Sequence, residues 1–312
     1  MTNGSVPIMR MSVFNYLADS CRSAPVDDYV HDVRELRDAG FDTIWTPQLQ
    51  NEHDALMTMA IALREVDGVT LGSGVQPIQS RHPLVLAQAA LTLSMLSGGR
   101  FRLGIGLTHR RVTEGSWGIP WDRPVQRLNE YLDGLLPLLA GERAEATGEI
   151  YTTRTHVALA GVAVPPVYVA ALGPKLLQIA GRRTAGTITF MTGPRTLAEH
   201  VVPAIDAAAE EAGRRAEVIA ALPVCVTDDV AGVRELAASK YAMYGNLPSY
   251  RSMLDREGAA GPEDIALIGD ESTIAARLDE IAKTGVAEFS AHVFGPDERD
   301  RARTLTFLSS RR

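Results

Sequence analysis

The chain has 312 residues, 46% of them hydrophobic and 22% charged, which excludes a disordered or fibrous protein. A formal net charge of -7 argues against nucleic acid or an anionic membrane as partner. The two cysteines, Cys21 and Cys225, stand in no CxxC or Cys/His cluster, and no apolar run reaches the ~18 residues of a membrane span, so a reduced, cytoplasmic enzyme without structural metal is expected.

In chain order, the first strand is expected over Ile8–Phe14. A helix follows from Pro25, with Val26, Tyr29, Val30, Val33 and Leu36 at helical spacing and Asp27 and Asp28 in its first turn. Gly40 ends it and leads into a strand over Thr43–Thr46. The same junction of helix, glycine and apolar run returns at Gly68 before Val69–Val75 and at Gly98-Gly99 before Phe101–Leu107. It returns again at Gly186 before Thr187–Met191 and at Gly285 before Glu288–Phe294. Strands over Val167–Leu172 and Val218–Val226 complete a set of eight. These runs are almost continuously apolar, as in parallel strands buried on both faces. Helical stripes lie between them: Leu128, Tyr131, Leu132 and Leu135; Leu197, Val201, Ile205 and Ala208; Ile274, Leu278 and Ile281.

Eight strands alternating with helices predict the α/β class, a (β/α)8 TIM barrel, for which ~250 residues or more is ordinary. A single domain over residues 1–312 is expected, with two insertions. One lies near 141–166, where TGEIYTTRTHVALAG reads as a hairpin; the other lies near 239–269, where YGNLPSY and GPED read as turns. An open doubly wound sheet ranks second, because no Gly-x-Gly-x-x-Gly follows the first strand.

Barrel enzymes work at the C-terminal ends of their strands. Here those ends are polar but lightly charged, which suits an enzyme whose cofactor carries the chemistry. Ser73, Gly74 and Val75 end the third strand, and the glycines around them permit a bulge and close approach of a flat ligand. Gly106, Thr108 and His109 end the fourth. His109 is the first candidate for proton transfer and Glu114, in the same loop, the second. Leu172, Gly173, Pro174, Lys175 and Leu176 pass from a strand into the mouth of a helix, where free N–H groups of Gly173, Lys175 and Leu176 suit a phosphate. Thr192 ends the sixth strand, and Trp117 and Trp121 would wall the substrate side. Plainer readings stand beside these: a solvated Lys175, a structural His109, and tryptophans that only pack their loop.

Four stretches together resemble a known family. They are ELRDAGFDTIW, VTLGSGVQPIQSRHPLVLAQAALTLSMLSGGRFRLGIGLTHR, PPVYVAALGPKLLQIAGRRTAGTITFM and LIGDESTIAARLDEIAKTGVAEFSAHVFG. The chain resembles the luciferase-like (LLM) oxidoreductases, in the branch that uses the deazaflavin coenzyme F420. The resemblance implies a TIM barrel, hydride chemistry on a small-molecule substrate, and pairing as a homodimer. It implies a non-prolyl cis peptide at Gly74-Val75 behind the deazaflavin, and cofactor phosphate on Leu172-Gly173-Pro174-Lys175. It also implies that Thr108 and His109 lie beside the reactive face. The chain departs from the family where Thr46-Pro47-Gln48 follows Trp45, so no catalytic His or acid is assigned there.

Three functions follow as readings. The first is an F420-dependent oxidoreductase moving a hydride to or from C=N, C=C or C=O. The second is an FMN-dependent monooxygenase served by a separate reductase. The third is a barrel without chemistry that serves as a cofactor-binding protein or scaffold, against which the glycine-rich strand ends count.

Overall fold

The structure, a computed structural model, describes residues 9–17, 25–159 and 161–311; Ile8 and Cys21 lie outside the described residues. Eight of its parallel strands follow one another in the order expected: β1 (Arg10–Phe14), β2 (Thr43–Thr46), β3 (Thr70–Ser73), β4 (Phe101–Gly106), β5 (Val167–Ala170), β6 (Gly186–Phe190), β7 (Glu217–Val226) and β8 (Glu288–Val293). A helix follows each strand, and the fold class is the (β/α)8 barrel that the sequence predicts. All six junction glycines adopt positive φ, from 64° at Gly98 to 146° at Gly186, as helix-ending glycines before a strand should. Among the described residues no helix is long and apolar enough to cross a membrane.

The described residues divide into two compact units. One comprises Asn15–Asp38 and Asp42–Ala170 and holds β2 to β5. Its strands pair in parallel, Trp45 beside Gly72 and Gly104 beside Tyr168, and the Trp45 and Tyr168 rings meet edge to face at 5.5 Å. Opposite that face, Thr46 reaches Tyr29 of the helix Pro25–Asp38, hydroxyl to hydroxyl at 2.8 Å. The hairpin expected near 141–166 is present as antiparallel strands Ala144–Thr147 and Thr152–Thr155.

The other unit comprises Ala171 onward, with Ala39–Phe41 and the segment through Phe14. It holds β6 and β1 on either side of the β7–β8 pair. Two differences from the sequence reading appear here. A short strand Leu267–Gly269 pairs with the end of β7, on the side away from β8, where β7 runs on past its pairing with β6. The YGNLPSY and GPED segments are helical, over Ala242–Asn246, Pro248–Glu257 and Pro262–Ile265, because Pro248 and Pro262 take first-turn positions that need no N–H donor. The stripe Leu197–Ala208 is also helical, with one π-helical turn over Leu197–Val201 just before Pro203, whose ring cannot donate a helical hydrogen bond.

Candidate active site

In the unit built from β2 to β5, the end of β3 departs from regular pairing. Leu71 and Gly72 pair with Phe101 and Arg102, and pairing resumes with Gln76 and Pro77 against Ile105 and Gly106. Three residues, Ser73, Gly74 and Val75, therefore stand opposite two, Leu103 and Gly104, which is a bulge. Three contacts fix it. The Ser73 hydroxyl donates to the Gly104 carbonyl at 2.8 Å and accepts the Gly104 N–H at 2.9 Å, and the Gly74 N–H donates to Thr46 at 2.8 Å. The Gly74-Val75 peptide is cis, as the resemblance implies.

Gly106 is where the bulge needs a missing side chain. A Cβ there would lie 2.8 Å from Val75 Cγ2 and 3.1 Å from Ala170 Cβ. The glycines of β4 thus receive the bulge rather than leave a gap.

The loop after β4 carries the titratable candidates. Thr108 donates its N–H to Gln79 Oε1 at 3.3 Å. His109 precedes the short helix Arg110–Gly115, and its carbonyl accepts the N–H groups of Val112 and Thr113. Burial pushes the His109 imidazole below its ordinary value. Removing the ring from water penalises its charge, so the fold favours the neutral imidazole. Glu114 is exposed and accepts the Trp121 N–H at 3.0 Å, so its carboxylate closes the loop on itself. Trp117 and Trp121 are both half-buried, and Arg127 holds the foot of the loop by donating to Asp122 at 2.8 Å.

Below that loop, Glu130 of the helix Pro124–Leu139 organises the hairpin. Its carboxylate accepts the main-chain N–H groups of Glu149, Ile150 and Tyr151 and the amide of Gln126. Partial burial raises its pKa, but those donors outweigh burial and hold the carboxyl below the usual range.

In the other unit, the helix Pro174–Arg183 begins directly after Gly173, with Pro174 in the first turn. A Cβ on Gly173 would meet nothing within 4 Å, so the approach to this helix mouth is open. The Leu176 N–H is not available as expected: it donates to the Gly173 carbonyl at 3.1 Å. The donors left at the mouth are the N–H groups of Gly173 and Lys175, with the exposed Lys175 side chain beside them. The Leu172 carbonyl meets His200 Nε2 at 2.8 Å. Thr192 is buried, its hydroxyl donating to Phe190 at 3.3 Å, just after Met191 at φ 53°.

Sequence reasoning missed two features of this unit. Glu257, at the end of the helix Pro248–Glu257, accepts the N–H groups of Arg195 and Thr196 and the Thr196 hydroxyl. A cluster of rings also gathers at the strand ends, with Phe14 stacked on Phe190 at 5.6 Å. Among the described residues no group of three or more His, Cys, Asp and Glu side chains is placed to hold a metal.

Comparisons with known proteins agree with this fold. The family profile described as luciferase-like monooxygenase matches residues 12–288. The 5,10-methylenetetrahydromethanopterin reductase of Methanolobus tindarius is 29% identical over 192 residues, 62% of this chain; the chain matches 58% of that protein's length. The coenzyme F420-dependent tetrahydromethanopterin reductase of Methanopyrus kandleri superposes with a TM-score of 0.80 at 21% identity, covering 97% of this chain and 98% of that one. The oxygenating constituent of 3,6-diketocamphane monooxygenase from Pseudomonas putida, in complex with FMN, superposes with a TM-score of 0.77 at 15% identity, covering 97% of this chain and 98% of that one.

Proposed function

The chain belongs to the luciferase-like monooxygenase family, and from that membership we propose that it is an oxidoreductase using the deazaflavin coenzyme F420 on a C=N, C=C or C=O centre of a small organic substrate. The observation that carries this reading is the bulge at Ser73–Val75, a main-chain platform at a strand end held by both hydrogen bonds of Ser73. Such a platform suits a flat ring, and when bound F420 supplies a two-electron hydride carrier. The names of the relatives support F420 over FMN: the Methanopyrus kandleri reductase is named for that coenzyme.

The chain's own residues then divide the work. Gly74 and Val75 back the ring, with Gly106 making room for Val75. The N–H groups of Gly173 and Lys175, with the Lys175 ammonium, hold phosphate. Leu172, Pro174 and Leu176 shape that turn, and Thr108 and Thr192 border the ring. Neutral His109 takes the substrate proton, and the imidazolium so formed gives it back in the reverse direction, while Glu114 shapes the loop that carries Trp117 and Trp121. The partner we propose is a second copy of the chain, for which Met57 and Ile61 on one helix and Val85 and Met95 on the next expose an apolar face.

A second reading, FMN with molecular oxygen, draws on the likeness to the FMN-bound monooxygenase component. One titration separates the two. Purified protein should quench F420 fluorescence at concentrations where FMN fluorescence is unchanged; the reverse order would overturn the F420 reading in favour of the FMN one.

A further inference from the structure

In the unit that carries β1 and β6 to β8, two helices run side by side: Pro174–Arg183, and the helix that begins at Pro194 and runs on to Glu211. Gly181 lets their main chains touch. A Cβ there would lie 2.7 Å from the Ile205 carbonyl oxygen and 2.9 Å from Ala208 Cβ. Arg182 adds an ion pair with Glu211. These contacts hold the C-terminal half of the first helix, about two turns away from its mouth at Gly173.

The mouth has a tie of its own. His200 is half-buried, and its Nε2 lies 2.8 Å from the Leu172 carbonyl oxygen. A carbonyl only accepts, so Nε2 donates. His200 stands in the π-helical turn Leu197–Val201, where the Val202 N–H donates to the Leu197 carbonyl, five residues back. A π turn adds one residue to a helix, so it re-aims the side chains of that turn relative to the face that Ile205 and Ala208 present to Gly181. Turns of this kind are frequent at functional sites.

The bond at Leu172 has a consequence at the other end of the same peptide. The Leu172-Gly173 peptide is trans, so its C=O and N–H point in opposite directions. Holding the carbonyl toward His200 holds the Gly173 N–H away from it. Glycine turns about φ more easily than any other residue, so a peptide that precedes one can swing unless something fixes it. Gly173 is exposed, and a Cβ there would meet nothing within 4 Å, so packing does not fix this peptide. The next peptide is fixed differently: the Gly173 carbonyl accepts the N–H groups of Leu176 and Leu177, at 3.1 and 3.0 Å.

We propose that His200 is a positioning residue for the phosphate of the cofactor: by holding the Leu172 carbonyl it aims the Gly173 N–H at the anion. The inference rests on the reading of the Gly173 turn as a phosphate site, and it is the same whether the ring attached to that phosphate is a deazaflavin or a flavin. With the carbonyl held, the N–H is oriented before the anion arrives. Without that bond, part of the binding energy goes into ordering the peptide.

Two ligand pairs test this, each titrated by its own fluorescence: F420 with the deazaflavin nucleoside that lacks its phosphate, and FMN with riboflavin. Wild type should prefer the phosphate-bearing member of at least one pair. In that pair His200→Ala should weaken the phosphate-bearing ligand roughly threefold to tenfold, the scale of one hydrogen bond, and leave the phosphate-free ligand unchanged. His200→Gln, whose amide N–H can stand where the imidazole Nε2 stands, should restore most of the loss. Should His200→Ala fail to fold, His200→Phe fills the space without a donor and should show the same selective loss. Unchanged affinity in the variant without a donor, equal loss of both members of the pair, or a Gln variant as weak as that one would overturn the role of His200. A wild type that prefers neither phosphate-bearing ligand would overturn the phosphate reading of the turn, and this inference with it. If the pattern appears with FMN and not with F420, the F420 reading fails and the role of His200 stands.

Discussion

The Cβ that Gly104 lacks would stand 2.0 Å from the carbonyl oxygen of Ser73 and 2.9 Å from Val75 Cγ1. The bulge and the strand beside it are therefore fitted to each other through an absent side chain. Gly104→Ala forces the main chain of one to move, and overpacking of this kind costs ~1–3 kcal/mol. Its melting temperature should fall and F420 binding should weaken with it. Gly115→Ala, where a Cβ meets nothing within 4 Å, is the control and should melt like wild type.

Ser73→Ala tests the same relationship from the other side. It strips Gly104 of two hydrogen bonds while adding no bulk. A buried N–H left without a partner costs ~1–3 kcal/mol, so denaturant midpoints should drop by that measure. A midpoint equal to wild type would mean that the bulge is held by Gly74 and the surrounding strands alone.

Lys175→Ala should weaken F420 binding by ~1–2 kcal/mol, as one charge-assisted hydrogen bond would. The loss should shrink at high salt, since Lys175 is exposed. Isothermal titration at two salt concentrations reads both effects. Unchanged affinity at low salt would leave the main-chain N–H groups as the whole of the phosphate site.

His109 predicts an acid limb. Its folded pKa lies below the ordinary value, so the unfolded chain binds the proton first as the pH falls. Stability should therefore decline once the pH drops through ~6.5 and keep declining down to the lower folded value. If the neutral ring is the working form, kcat should fall on the same acid side. His109→Asn should lose that limb and lower kcat by ~10²–10⁴-fold, with F420 affinity unchanged. A profile that keeps its acid limb in the variant would assign the limb to another group.

The proposed pairing of two copies is read from mass. Met57 is 72% exposed and Met95 52%, on neighbouring helices, and a charge in such a patch opposes burial. Met57→Glu with Met95→Glu should halve the mass seen by light scattering while the far-ultraviolet spectrum stays the same. A wild-type chain that is already monomeric would remove the proposal.

Much of the fold was legible because burial writes itself into short apolar runs. Thr43–Thr46 is a strand with the bounds expected, and the junction glycines mark the helix ends. The third strand was read too long, through Val75, because a run of Leu, Gly, Ser and Val does not reveal which residue is extra; the partner strand decides that. Leu267–Gly269 escaped because three residues carry no period, and its pairing depends on the unusual length of β7. At the candidate site, the bulge at Ser73–Val75 and the helix start after Gly173 are legible through glycine and proline. The rings of Tyr241 and Tyr244 are not, since their partners Phe190 and His292 are remote in sequence and no spacing links them.

The three N–H groups that Glu130 gathers belong to the main chain, and so does the consequence. Toward the hairpin this anchor reads only peptide groups, so it is indifferent to what residues 149 and 150 carry. That stretch is free to change its side chains without losing its path, provided position 130 keeps a carboxylate and Gly148, where a Cβ would lie 2.3 Å from that carboxylate, stays bare. Divergence in this hairpin tip should be fast in side chain and slow in backbone, and a library randomised at Glu149 and Ile150 should fold far more often than one randomised at Glu130.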